Sequence, residues 1–227
     1  MAYLQNGGNI LLITDYIAEG SMENLLKMTR SMGLETEPGL IIEGDRNMHV
    51  SRYPHYILPD MEAHEITDAL ISGGYYILTP LAQPLVETQD SSGEITWLLT
   101  TSDAAYAKLA GLDSTTTEKE DGDTSGPFHV GAISEDTGKL IWFSSADLLE
   151  SNVNYTVGGA NANMLLNALN WMCGQEESIS IRAKSMDEAT LTVPASASGF
   201  WSAVMIGVIP AVLIGIGLAI YMRRKRR

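Results

Sequence analysis

Short polar residues follow three segments that we predict to be strands, and they are the best candidates for chemistry in this chain. Asp15 follows the first segment, Ser102 and Asp103 follow the second, and Ser144 with Asp147 follows the third. Ligands of open parallel sheets bind outside the carboxyl ends of the strands, so we expect these side chains to converge at one edge. Their carboxylates and hydroxyls would suit a sugar, a peptide or a hard cation. The alternative is that they cap the helices that follow.

No complete catalytic or metal-binding motif is present in the sequence. The segment His64-Glu65-Ile66-Thr67-Asp68 resembles a zinc-protease helix, but Asp68 stands where that motif needs a second histidine. The four histidines have no ligand spacing, and the chain has neither a Gly-x-Ser-x-Gly elbow nor a phosphate-binding lysine loop. The sequence therefore predicts no metal, no cofactor and no catalytic residue.

Apolar runs and helical periodicities alternate along the first half of the chain. A continuous apolar run between Gly8 and Asp15 is typical of a strand buried on both faces in a parallel sheet. Ser21 is the predicted N-cap of a helix that Gly33 ends, and Ser102 the predicted N-cap of a second helix. The predicted elements are strands at 9–14, 40–43, 75–78 and 95–100, and helices at 22–32 and 104–110.

The second half continues the alternation after an acidic, aperiodic stretch at 113–126 that predicts a solvated loop. Two β-rich runs, 128–133 and 140–144, flank Asp136-Thr137-Gly138 and predict a hairpin. A helix over 164–173 and a last strand over 178–184 follow. Together these elements predict an α/β fold with a mainly parallel sheet and one antiparallel hairpin.

The single cysteine, Cys173, excludes an internal disulfide. It stands beside the helical face formed by Leu165, Leu169 and Met172. We therefore interpret it as a small apolar residue of a core helix rather than a reactive thiol.

Residues 200–222 form an uncharged apolar run of 23 positions, and the basic residues 223–227 follow it directly. As a helix this run would extend about 34 Å, which spans a hydrocarbon core of about 30 Å. Lipid-embedded helices tolerate proline, and aromatic and basic residues favour the two membrane interfaces. The predicted anchor residues are Phe200, Trp201, Pro210, Tyr221, Arg223 and Arg224.

The basic tail predicts the orientation of the anchor, because positively charged flanks stay in the cytoplasm. We therefore expect residues 1–184 to form an extracytoplasmic domain, joined to the membrane helix by a linker at 185–199. Without the five basic tail residues, nine Lys and Arg remain against 28 Asp and Glu, a net charge of −19. Such a surface repels nucleic acid and anionic lipid, so we expect neither as a partner of the domain.

The first residues have no basic n-region and no apolar h-region, so they are not a signal peptide. Residues 3–8 are typical of a helix end with glycine at the C′ position, leading directly into a strand. We therefore expect that an upstream half of the domain, with its own membrane helix, precedes this chain.

The order of these segments resembles the auxiliary component of gliding-motility-type ABC transport systems. The resemblance covers nearly the whole chain, and its most specific parts are the segment from Asn161-Ala162-Asn163 to Asn170-Trp171 and the Pro210 helix with its arginines. It also uses residues 3–12, 64–70, 97–102 and 140–149. The family implies an extracytoplasmic α/β domain held by membrane helices at both ends and acting with an ABC ATPase and a permease. No functional residues carry over from it.

The resulting expectation is a non-enzymatic, membrane-anchored accessory subunit of an ABC-type transporter that binds the permease, a substrate or both. Two alternatives remain open. One is a surface hydrolase or amidotransferase-like enzyme with a nucleophile at a strand end, for which Ser102 and Ser144 are the candidates. The other is a free-standing surface sensor or adhesin.

Overall fold

A computed structural model describes residues 2–88, 93–174 and 195–225 of the chain. The predicted strand at 178–184 and most of the predicted linker lie outside the described residues, as do Arg226 and Arg227.

Thirteen short strands are found in the described part of the chain. They are β1 (Asn9–Ile13), β2 (Leu34–Thr36), β3 (Leu40–Ile42), β4 (His49–Val50), β5 (Tyr53–Ile57), β6 (Asp60–Met61), β7 (Thr79–Pro80), β8 (Leu85–Glu87), β9 (Glu94–Thr100), β10 (Tyr106–Lys108), β11 (Thr124–Ser125), β12 (His129–Glu135) and β13 (Lys139–Phe143).

The helices of the described part are mostly short. They are α1 (Ala2–Gln5), α2 (Glu23–Ser31), α3 (Asp68–Ser72), α4 (Ser151–Thr156), α5 (Ala160–Met172), α6 (Ala195–Ala203) and α7 (Ile209–Lys225), with 3₁₀ turns at Gly111–Asp113 and Ala146–Leu149 and a π-helical segment at Val204–Val208.

The main sheet is mixed, which corrects the expectation of a mainly parallel sheet. Its central path runs β1-β13-β12-β8-β2, and β9 pairs with both β12 and β6. Among the described strands of this sheet, β1 and β13 form the parallel pair, with Asn9 opposite Lys139 and Ile13 opposite Phe143. The other pairings are antiparallel because β12 and β13 form the predicted hairpin, and β9 then adds antiparallel to β12.

Two smaller antiparallel sheets complete the domain. One has the order β11-β10-β3 and the other the order β4-β5-β7. The first contains β10, which lies within residues 104–110, where the sequence predicts a helix. The second contains β7, which begins just after residues 75–78, where the sequence predicts a strand. The helix prediction is wrong because Tyr106, Ala107 and Lys108 pair with β3 instead. The strand prediction for 75–78 is also wrong, since Tyr75 and Tyr76 are exposed loop residues before β7.

The main sheet separates two apolar clusters, because alternate residues of a strand point to opposite faces. Along β13, Ile141 and Phe143 belong to the larger cluster, which includes the buried face of α5. Leu140 and Trp142 belong to the smaller one, against which Leu25 and other residues of α2 pack. The two helices therefore cover opposite faces of the sheet.

The structure confirms the helix end at the start of the chain and corrects two details of the predicted helices. Gly7 follows α1 with φ +83°, and β1 begins at Asn9. At the start of α2 the cap position is Met22, whereas the predicted cap, Ser21, donates to the Ala18 carbonyl at 2.6 Å. Cys173 lies just beyond α5 and is exposed, so it is not a core residue.

The C-terminal apolar helix is long and apolar enough to cross a membrane, and none of its apolar window is buried against the domain. It runs from Ser198 to Lys225, which includes the predicted span at 200–222. The π-helical segment lies just before Pro210. Because proline has no N–H and its ring crowds the preceding turn, regular i→i−4 bonding is interrupted there.

Candidate functional site

The three predicted strand ends lie at the same edge of the main sheet. β1 runs parallel to β13, and β13 and β9 both run antiparallel to β12. The carboxyl ends of β1, β13 and β9 therefore point the same way, although the sheet is mixed. The side chains that follow these strands nevertheless form two separate groups.

The first group pairs Asp15 with Asp147. Asp15 is exposed and Asp147 is half-buried. Burial raises the pKa of Asp147, and the negative charges of Asp15 and Glu150 raise it further. The two carboxylates therefore repel each other, and no basic side chain of the described residues forms an ion pair with either.

Ser144 lies beside this group but is wholly buried, and its hydroxyl is engaged. Its Oγ donates to the Gln83 carbonyl at 2.6 Å, within hydrogen-bond distance of the Val130 carbonyl as well. Gln83 is itself buried, and its side-chain amide binds the backbone N–H and C=O of Ile17. These bonds tie the loop after β1 to the sheet, so Ser144 is a structural residue here rather than an accessible nucleophile.

The second group pairs Ser102 with a residue that the sequence analysis missed, Glu43. Ser102 Oγ donates to Glu43 Oε1 at 2.5 Å, and Ser102 N–H donates to Glu43 Oε2 at 3.1 Å. The Asp45 N–H donates to the same carboxylate at 2.8 Å. Glu43 is 1% exposed, and these three donors satisfy its carboxylate oxygens by hydrogen bonding. Asp103, next along the chain, is exposed.

The interpretation of Ser102 as the cap of a following helix is wrong, since no helix follows it. Its hydroxyl accepts the Ala104 N–H at 3.1 Å and so forms a local turn. A sequence signal for Glu43 does exist, because it ends a predicted apolar strand in the same way as the candidates do. Glu43 was missed in the sequence analysis because only the tertiary structure brings this residue to Ser102, 59 residues away.

Asn161, in the Asn-Ala-Asn segment, is a second polar residue with a buried structural role. Its Oδ1 accepts the Leu78 N–H at 3.0 Å, and its Nδ2 donates to the Leu78 carbonyl at 2.8 Å and the Leu148 carbonyl at 3.1 Å. Asn161 is fully buried. From the start of α5, it thus satisfies backbone groups of the loop at Leu78 and of the 3₁₀ turn at Ala146–Leu149.

The histidines do not cluster in the structure. His129 stacks on Trp97 with 3.9 Å between ring centroids, and burial lowers its pKa while Glu62 opposes that change. His64 lies edge-on to Trp171 instead. Within residues 2–88, 93–174 and 195–225, no group of three or more His, Cys, Asp or Glu side chains could hold a metal ion.

A groove away from the strand-end residues has a volume of about 530 Å³. It lies between β3, β5 and the loop after the 3₁₀ turn at Gly111–Asp113. Its lining residues form an aliphatic set and a hydroxyl set, and His55 and Gly111 complete the lining. The aliphatic set is Leu40, Ile42, Leu81 and Leu112, and the hydroxyl set is Ser114, Thr115, Thr116 and Thr117.

A buried lysine fixes the loop that carries the hydroxyl set. Lys108 is fully buried, and its Nζ donates to the Glu118 carbonyl at 2.7 Å and to Glu120 at 2.6 Å. It also lies 3.3 Å from Asp123 Oδ2. The hydrogen bond to Glu120 raises the pKa of Lys108, with Asp123 adding to the rise. The lysine therefore stays charged and holds the loop against β10.

Comparison with known proteins supports the fold and leaves the family open. No family model matches the chain, and no curated protein does. A solved structure described as "mmIFT52 N-terminal domain" matches with a TM-score of 0.53 and 15% identity, over 78% of this chain and 70% of that one. At this identity the similarity shows a shared fold. The chain is thus a mixed α/β domain of that architecture, followed by a candidate membrane-spanning helix.

Proposed function

We propose that this protein is a non-enzymatic, membrane-anchored accessory subunit of an ABC-type transport system, whose α/β domain binds the permease, a substrate or both. The observation that carries the proposal is the apolar helix at Ser198–Lys225, which contributes nothing to the core of the domain. An apolar helix without buried residues needs another apolar environment, and a bilayer supplies one. The resemblance to auxiliary components of gliding-motility-type systems adds the ABC permease and ATPase as partners.

The state of the strand-end hydroxyls supports binding over catalysis. A serine nucleophile needs an accessible hydroxyl and a base that can take its proton. Ser144 is buried and bonded to backbone carbonyls. Ser102 faces the Glu43 carboxylate, which is buried and already accepts two backbone N–H groups, so both partners are held in a structural hydrogen-bond network.

The orientation of the anchor is part of the proposal, and the lone exposed cysteine provides its test. We expect a membrane-impermeant maleimide to label Cys173 in intact cells, because the basic end of the anchor stays in the cytoplasm. The matched control is a Cys173→Ser, Lys225→Cys variant, which should react only after the membrane is permeabilised. The reverse pattern would contradict the proposed orientation.

The partner is tested by purifying the full-length protein from native membranes with an affinity tag. Recovery of a multispan permease and an ATPase in constant ratio is the expected result. The same purification from a strain that expresses Leu213→Arg, which weakens insertion of the anchor, is the control. Recovery of the protein alone, from a gene with no transporter genes beside it, would favour the free-standing sensor or adhesin.

The hydrolase alternative is favoured by one contact, the 2.5 Å hydrogen bond from Ser102 to Glu43. If this pair were catalytic, Ser102→Ala and Glu43→Gln would each abolish a turnover that Ser144→Ala leaves measurable. For a structural pair, we expect no hydrolysis of ester or amide substrates by the native protein or by either variant.

A further inference from the structure

One side of the groove between β3 and β5 is the loop at Ser114–Thr117, and side chains of β10 fix the backbone of this loop. Tyr106 donates its hydroxyl hydrogen to the Thr117 carbonyl, and Lys108 donates to the next carbonyl, that of Glu118. The Glu118 N–H in turn donates to Thr116 Oγ1 at 3.1 Å. Because the loop backbone is fixed by these bonds, the groove exists before any ligand binds, which lowers the entropic cost of binding.

Leu81, on the opposite side of the groove, has a backbone conformation that leucine rarely adopts. Its φ is +50°, and its N–H donates to the His55 carbonyl at 2.9 Å. A glycine would adopt this conformation without strain. The strained leucine is only partly buried, and its side chain lines the groove. Strain of this kind is concentrated at ligand sites, where the surrounding structure maintains it.

The lining selects against charged ligands. Its ten described residues include no Asp, Glu, Lys or Arg. His55 is the one titratable group among them, and burial lowers its pKa, so it is neutral near pH 7. A charged ligand group would lose hydration in the groove without gaining an opposite charge. The hydroxyls of the loop provide donors and acceptors for amides, and the aliphatic side chains provide a surface for an apolar side chain.

We propose that this groove binds an extended, uncharged peptide segment, with an aliphatic side chain against Leu81 and Leu112 and its backbone amides against the Thr115 and Thr117 hydroxyls. The combination of aliphatic contact and amide recognition matches both sets of lining residues. The volume also suits a few peptide residues. This site does not depend on the transporter assignment, since it uses neither the membrane helix nor the strand-end residues.

The test uses the full chain in lipid nanodiscs, with ¹³C-labelled leucine and threonine methyl groups observed by NMR. The probe is acetyl-Ala-Leu-Ala-amide, added up to about 10 mM because a tripeptide should bind with a millimolar Kd. We expect saturable shifts of the Leu81, Leu112 and Thr115 methyl signals. Acetyl-Ala-Glu-Ala-amide should shift them much less, because its carboxylate has no partner in the groove.

Two variants separate binding from folding. Leu81→Gly relieves backbone strain while it removes the apolar contact, and we expect it to raise the Kd on the order of tenfold with little change in Tm. Leu109→Ala truncates a leucine that is 52% exposed and does not line the groove, so it should leave the Kd unchanged.

Three results would overturn the proposal. The first is no shift of the groove methyls with the leucine peptide. The second is an equal response to the glutamate peptide. The third is a response to N-acetylglucosamine with none to either peptide, which would make the groove a sugar site.

Discussion

Two helices of this chain are rich in apolar residues, and they use them in opposite ways. α5 buries six of its residues: Ala160, Asn161, Met164, Leu165, Ala168 and Met172. The C-terminal helix buries none of its apolar window. α5 also carries asparagines along its length, whereas residues 200–222 contain no Asn, Gln or charged residue. Apolar content alone therefore does not identify a core helix; the presence of a polar face does.

The largest expected effect comes from a charge on the buried face of α5. Ala168→Arg places an uncompensated charge among fully buried residues, and we expect a loss of more than about 4 kcal/mol in the free energy of unfolding, enough to unfold the domain. Leu169→Arg is the matched control, because Leu169 is 43% exposed on the same helix. It should change the free energy of unfolding by less than about 0.5 kcal/mol. Thermal unfolding of the full chain in detergent measures both, and equal losses would contradict the assigned faces.

An arginine in the C-terminal helix should weaken the insertion of this helix into the membrane and leave the stability of the domain unchanged. Leu213→Arg lies near the middle of the candidate span, where arginine costs about 3 kcal/mol of insertion free energy. We expect a larger fraction of the protein to be extracted from membranes by alkaline carbonate, with an unchanged Tm of the domain. Leu213→Ala should stay in the pellet. A lowered Tm with normal membrane retention would mean that this helix packs on the domain.

Asn161 adds a second test of the difference between α5 and the C-terminal helix, because this buried polar residue fixes the position of α5. Asn161→Ala leaves the backbone groups of Leu78 and Leu148 without their partner, at a cost of about 2 kcal/mol. Amide hydrogen exchange at Leu78 should accelerate in this variant, whereas Asn163→Ala, two residues along, should leave it slow. Unchanged protection of the Leu78 amide in Asn161→Ala would rule out a structural role for these hydrogen bonds.

The smallest effect is a pH dependence of the domain. Burial lowers the pKa of both His55 and His129 in the folded state. The unfolded chain therefore binds more protons, so the contribution of these histidines to stability is complete above the unfolded pKa of about 6.5 and is lost as the pH falls below it. We expect the Tm to fall by about 2 °C between pH 7.5 and 5.5.

A double variant, His55→Gln with His129→Gln, should reduce this fall in Tm between pH 7.5 and 5.5. Asp147 acts in the opposite direction, because burial and the nearby charge of Asp15 raise its pKa, so that protonation in acid stabilises the folded state. Asp147→Asn should therefore steepen the loss of stability in acid. If the Tm of the histidine double variant still fell steeply in acid, groups other than these two histidines would cause the pH dependence.

The sequence predicts the elements that depend on local composition. The apolar helix, the hairpin of β12 and β13, and the first strand with the glycine before it are all present. The strand ends also lie at one edge of the sheet, although they reach it through an antiparallel arrangement. The sequence pattern could not distinguish a parallel from an antiparallel arrangement, because a strand buried on both faces has the same apolar run in either kind of sheet.

The errors occur where tertiary contacts override local preference. Residues 104–110 have good helix formers, yet Lys108 is fully buried and paired with acidic residues of the following loop. Residues 75–78 have strand-forming side chains, but Asn161 takes the backbone groups of Leu78 that a ladder would use. The groove escaped prediction for the same reason, since its lining comes from four separate parts of the chain.

The parallel pair of β1 and β13 joins residues that are far apart in the chain. Ile13 lies opposite Phe143, a separation of 130 positions. At a synthesis rate of about 5–20 residues per second, the ribosome needs roughly 7–26 s to make that interval. During this time β1 lacks β13, the strand it pairs with in the described sheet, and non-local pairings of this kind slow folding further. A chaperone that covers residues 9–13 of the nascent chain would shield this apolar strand until β13 has been made.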